Sequence, residues 1–83
     1  MFMTNLEIYN QIFKELFEDE VPETEYKELS YGNAGWDSVM NMDILEMLEQ
    51  EFNISIDTED KMKFDSYQNG IELLQKYGIH VES

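Results

Sequence analysis

The stretch that decides the fold is Ser38-Val39-Met40-Asn41-Met42-Asp43-Ile44-Leu45-Glu46-Met47-Leu48-Glu49-Gln50-Glu51-Phe52-Asn53-Ile54-Ser55-Ile56. Ile44, Leu45, Leu48 and Phe52 fall on one side of a helical wheel at 100° per residue, so the stretch reads as a helix from Ser38 to about Phe52. Asn53 is a suitable stop, and Ile54-Ser55-Ile56 then returns apolar side chains to a core. Serine is among the best helix N-caps, which places Ser38 at the head of this helix. Asn41 stands where a capping box needs Glu or Gln, so no box forms there.

The same pattern extends outward. Leu6, Tyr9, Ile12, Phe13, Leu16 and Phe17 form an apolar stripe that predicts a first helix over Asn5 to Glu18, with Thr4 or Asn5 as its cap. The long connection from about Asp19 to Trp36 holds the only proline, two of the four glycines and scattered Val21, Tyr26, Leu29, Tyr31 and Trp36. Loops of that length without regular structure are uncommon in compact domains. The connection is therefore expected to pack down on the core, with a short helical turn near Glu23–Leu29. Thr58–Lys63 reads as a short turn of helix. A last helix is expected from about Ser66 to Tyr77, with Tyr67, Ile71, Leu73, Leu74 and Tyr77 on one side and Gly78 in the position of a C-terminal glycine cap. The expected fold is all-α: a small four-helix bundle, three main helices and one short one, with a long first loop.

At 83 residues the chain is read as a single domain spanning 1–83. A domain this small buries only about 60% of its unfolded surface, which leaves room for one core and no deep cleft. Nineteen acids stand against five lysines, for a formal net charge of −14. Nucleic acid is thereby excluded as a partner, because phosphate neutralisation needs Lys and Arg, and an anionic membrane surface would repel the protein. A basic protein partner is the natural complement, although solubility alone also accounts for such a charge. There is no cysteine, hence no disulfide, thiolate metal site or protein thiol. Met1-Phe2-Met3-Thr4-Asn5 lacks the features of a signal peptide, and no apolar run reaches the ~20 residues of a membrane span, so the expected compartment is the cytoplasm.

Catalysis has little to draw on. His80 is the only histidine, and Trp36-Asp37-Ser38-Val39-Met40 is not the glycine-flanked elbow of hydrolases. A calcium loop beginning at Asp65 fails, since Tyr67 and Lys76 occupy ligand positions. What remains is Ser38, either a plain cap or an attachment point. A phosphate ester at a helix start would meet unpaired N–H groups and the positive end of the dipole. Val39 and Met42 point away from Ile44 and Leu48 and lie among Asp43, Glu46, Glu49 and Gln50. Either they belong to a docking surface or they pack under the long loop.

Gly35-Trp36-Asp37-Ser38-Val39 resembles the Gly-x-Asp-Ser-Leu attachment motif of the acyl carrier protein family. The run Met47-Leu48-Glu49-Gln50-Glu51-Phe52-Asn53-Ile54-Ser55-Ile56 resembles the same family, as do the acids of Asp57–Asp60 and the apolar Phe64 in register. The resemblance spans the whole length and is most specific from Gly35 to Ile71. It implies that Ser38 takes covalent 4′-phosphopantetheine from coenzyme A through a separate phosphopantetheinyl transferase. Acyl or aminoacyl groups then ride as thioesters on the arm's thiol, so that a chain without cysteine still does thiol chemistry. It implies further that Asp37 serves transferase recognition. Val39, Met42, Asp43, Glu46 and Glu49 would dock an activating enzyme and downstream transferases or synthases. The interior lined by Ile44, Leu48, Phe52 and Ile56 is the implied shelter for an acyl chain. The implied protein is a free-standing monomer and not itself an enzyme. Val39 stands where leucine is common, Trp36 where a smaller residue is usual, and Met40-Asn41 make the helix start less acidic. Trp-Asp-Ser is similar to a variant found in specialised carriers that serve a dedicated activating enzyme.

Overall fold

The computed structural model describes residues 3–81. Met1 and Phe2, part of the N-terminal stretch read above for a leader, lie outside the described residues. Four α-helices run α1 (Asn5–Phe17), α2 (Ser38–Phe52), α3 (Thr58–Lys63) and α4 (Tyr67–Lys76). Two 3₁₀ segments, Glu18–Glu20 and Glu23–Glu28, lie in the first connection. The protein is an all-α bundle with a long first loop, as the periodicity predicts.

Each helix starts and stops for a local reason. Thr4 caps α1 in a reciprocal box: Glu7 N donates to Thr4 Oγ1 (3.1 Å) and Thr4 N to Glu7 Oε1 (3.0 Å). The helix ends at Phe17, one residue before the expected Glu18, because Glu18 turns to a positive φ and opens a 3₁₀ turn. Asn53 closes α2 in the left-handed conformation while Ile54 N donates to Glu49 O (3.1 Å). Ser66 is the cap of α4 rather than its first residue, its Oγ accepting from Asn69 N (2.9 Å). At the far end Gly78 (φ +84°) donates to Gln75 O and Ile79 to Leu74 O, the paired bonds of a Schellman stop.

The core is aromatic. Phe13 is its hub, with ring centroids of Tyr9 and Tyr67 at 5.0 Å, Trp36 at 5.9 Å and Phe17 at 6.0 Å. Tyr9 is fully buried and satisfies its hydroxyl by donating to Tyr67 O (2.6 Å), as a phenol out of water must. Gly70 lets α4 approach this cluster: a Cβ there would lie 2.7 Å from Phe64 Cε1 and also strike Tyr9 Oη.

The long connection does pack down. Val21, Tyr26, Leu29 and Trp36 are buried, while Tyr31 turns to solvent, at 53% exposed. Its last part is tied to the segment before α4 by Tyr31 N to Asp65 O (2.7 Å) and Tyr67 N to Leu29 O (3.0 Å). Those bonds fix the path by which the chain enters α2.

Candidate attachment site and docking face

The approach to Ser38 is a compact turn. Asn33 N donates to Ser30 O (2.9 Å), Trp36 N to Asn33 O (2.8 Å) and Gly32 N to Trp36 O (2.9 Å). Ala34 and Gly35 both take positive φ, 50° and 83°, and at Gly35 glycine is the residue that does so without strain. The turn delivers Trp36 into the core, where it is 1% exposed. Its indole Nε1 donates to Asn41 Oδ1 (2.8 Å), one turn into α2.

The expectation that Ser38 caps α2 is corrected by the structure. Asp37 is the cap: its backbone is extended (φ −117°, ψ −171°) and its Oδ1 accepts from Met40 N at 2.9 Å. The physical reason is that the turn before Trp36 leaves Asp37 extended, which aims a charged acceptor at the positive helix end. Asn41 N donates to Asp37 O (2.8 Å), the first backbone bond of the helix. Ser38 is consequently the first helical residue, exposed, with the cap role already filled. The amides of Ser38 and Val39 are helix-start donors that these bonds leave over.

Val39 and Met42 do not pack under the loop. They are 66% and 67% exposed, and with Asp43 and Glu46, also exposed, they occupy positions i, i+3, i+4 and i+7 of one stripe. Met40 and Met47 are half-buried against the core. Glu49 lies on the same stripe but is half-buried and already engaged. Ile56 N donates to its Oε2 (2.8 Å), and Lys61 Nζ lies 3.5 Å from its Oε1. Glu49 thus ties α2 to the entry of α3. The expected interior lining faces inward: Ile44 and Leu48 have no exposure, Ile56 is buried and Phe52 is half-buried.

One ionic cluster was not legible in the sequence. Asp60, the only buried residue of α3, accepts from Lys76 Nζ through both oxygens (3.0 and 3.1 Å) and from Tyr77 Oη (2.6 Å). Tyr77 Oη accepts in turn from Asp57 N (2.9 Å). The hydrogen bonds from Tyr77 and Lys76 hold the Asp60 carboxyl below the ordinary aspartate range, and the bond to Asp60 holds Lys76 above the ordinary lysine value. This cluster fastens the short helix α3 to the end of α4. His80 is exposed, its carbonyl accepting from Asn5 Nδ2 (3.0 Å) at the start of α1. Among the described residues, no group of three or more His, Asp or Glu is placed to hold a metal ion. Comparison with protein-family models, curated proteins and solved structures gives no match for this chain.

Proposed function

We propose that the protein is a carrier, modified at Ser38 with 4′-phosphopantetheine, that presents acyl or aminoacyl groups to partner enzymes. The observation that carries this reading is an exposed serine at the first position of α2 whose capping role belongs to its neighbour Asp37. A serine needed as a cap could not be esterified without loss to the fold; this one is free for it. The site also fits the group. The Ser38 and Val39 amides and the positive helix end complement a phosphodiester, while the Asp37 carboxylate, engaged with Met40 N, directs its charge into the helix.

In attachment, Ser38 Oγ bonds to the pantetheine-side phosphorus of coenzyme A, the pyrophosphate link breaks, 3′,5′-ADP departs, and the hydroxyl proton passes to the base of the transferase. When bound, the arm supplies the thiol on which acyl groups are held as thioesters. Asp37 positions Ser38 by holding the helix start. The stripe of Val39, Met42, Asp43 and Glu46 meets a basic, partly apolar patch on the transferase and on the enzymes that load and unload the arm. We place the protein in the cytoplasm as a monomer. Among the described residues, no helix is long and apolar enough to cross a membrane.

Incubation with coenzyme A and a broad-specificity phosphopantetheinyl transferase, followed by intact mass, tests the reading. Wild type gains one arm and Ser38→Ala gains none. No gain, or a gain that survives Ser38→Ala, rejects it. A second reading draws on the net charge of −14 and the exposed Val39 and Met42: an unmodified acidic module that binds basic proteins. It requires that Ser38→Ala leave function intact while charge reversal at Glu46 and Glu49 abolishes binding.

A further inference from the structure

We infer that cargo on Ser38 stays outside the helical bundle, and that the acyl groups carried are short or polar rather than long alkyl chains, because the interior behind Ser38 is filled by Trp36 and its ring neighbours. The inference rests on the carrier reading above and names the class of cargo.

A long alkyl chain leaves water only where the protein offers apolar volume. Beneath α2 that volume would have to open beside Ile44, Leu48 and Ile56, which are buried in one core cluster with Trp36. Trp36 enters this interior two residues before Ser38. It bridges the bundle, with Phe13 and Phe17 of α1 at centroid distances of 5.9 and 6.0 Å and Phe64, between α3 and α4, at 5.5 Å. It is also held. Its indole bonds Asn41, and its backbone is fixed by its N–H to Asn33 O and by Gly32 N to its carbonyl. Displacing the ring to admit a chain would break the indole bond to Asn41 and undo its packing against Phe13, Phe17 and Phe64. An aliphatic side chain could instead rotate aside within a rotamer change.

Two hollows on the surface lie elsewhere. One of about 60 Å³ is lined by Met3, Ile8, Ile12, Met47 and Glu51. Met47 is nine positions along α2 from Ser38, a rise of about 14 Å. An open groove of about 320 Å³ is lined by Leu6, Tyr26, Tyr67, Ile71 and Val81. Neither is lined by the first two turns of α2. What the Ser38 end presents is the exposed pair Val39 and Met42, a contact surface with no depth for a chain. Short acyl, aminoacyl or hydroxyacyl groups have little apolar area to bury and lose little by remaining in water.

The test installs acetyl-, alanyl- and octanoyl-phosphopantetheine on Ser38 from the matching coenzyme A thioesters, with loading checked by intact mass. The readouts are thioester cleavage by hydroxylamine, emission of the single Trp36, and melting temperature. Each loaded form should be cleaved within about twofold of the same free acyl-pantetheine, with Trp36 emission unchanged, while protection of the octanoyl form above about tenfold overturns the inference. A blue or red shift of Trp36 on octanoyl loading overturns it as well. Trp36→Leu, if folded, should gain octanoyl protection that wild type lacks. The wild-type comparison stands whether or not that variant folds. No mass gain at Ser38 rejects the carrier reading and this inference together, whereas a loaded and protected octanoyl form rejects this inference alone.

Discussion

Trp36 Nε1 donates to Asn41 Oδ1 at 2.8 Å, which ties the residue before the Asp37-Ser38 pair to the first turn of the helix that pair begins. Asn41→Ala leaves a buried indole N–H without its partner, at a cost of about 1–3 kcal/mol by urea unfolding. Trp36→Ala removes the ring as well and should cost about 3–5 kcal/mol, the usual range for a large aromatic lost from a core. Equal losses in the two variants would mean that the hydrogen bond, and not the packing of the ring, dominates.

The assignment of the cap to Asp37 separates two neighbouring residues. Asp37→Ala should lower stability by about 0.5–2 kcal/mol through the lost bond to Met40 N. Asp37→Asn keeps an acceptor and should recover most of that. Ser38→Ala should fall within about 0.5 kcal/mol of wild type, as an exposed substitution without a lost contact does. Chemical denaturation of the three variants, with no arm attached, decides the order.

The Asp60 cluster gives a pH dependence with a definite sign. The folded pKa of Asp60 is depressed, so its contribution is present above the ordinary aspartate value and is lost as pH falls through the lower, folded value. Lys76 is raised, so its contribution holds up to the ordinary lysine value and is lost as pH rises through the folded one. The difference in melting temperature between wild type and Asp60→Asn should therefore be flat across neutral pH and close toward zero in acid. A difference that widens in acid contradicts the assignment.

Gly70 is required by space. Its φ is not in the left-handed region, yet an added methyl meets Phe64 and Tyr9. Alanine is the better helix former, but overpacking of this kind typically costs about 1–3 kcal/mol, so Gly70→Ala should destabilise. A rise in melting temperature would show that α4 can move away without loss.

With a net charge of −14, the folded chain repels itself more than the expanded one does. Sodium chloride should raise the melting temperature at neutral pH. A melting temperature indifferent to salt would show that the Lys61–Glu49 and Lys76–Asp60 pairs, which salt weakens, offset the relief.

Much of the fold was legible because its signals are local. The spacing of Ile44, Leu45, Leu48 and Phe52 located α2 at Ser38–Phe52, and the Thr58–Lys63 turn was likewise read from neighbours in the chain. The candidate site was legible in part. Ser38, Val39 and Met42 are exposed at the head of α2, as the wheel placed them. The bonds of Glu49 were not legible because its partners, Ile56 N and Lys61, stand 7 and 12 positions away and reach it only after the chain reverses at Asn53. Asp60 gave no warning of burial, since an acid in an acidic run reads as solvated until Lys76 and Tyr77 fold over it.

The sequence by itself determined the helices, their order and the serine at the head of the second, because periodicity and end residues act within a turn or two of the chain. Only the tertiary structure decided which of two adjacent capping residues holds that helix and what occupies the space behind it. The reason is the same for both. The bonds from Leu29 and Tyr31 to the segment before α4 set the path of the turn that follows. That path leaves Asp37 extended at the helix end and drives Trp36 among Phe13, Phe17 and Phe64.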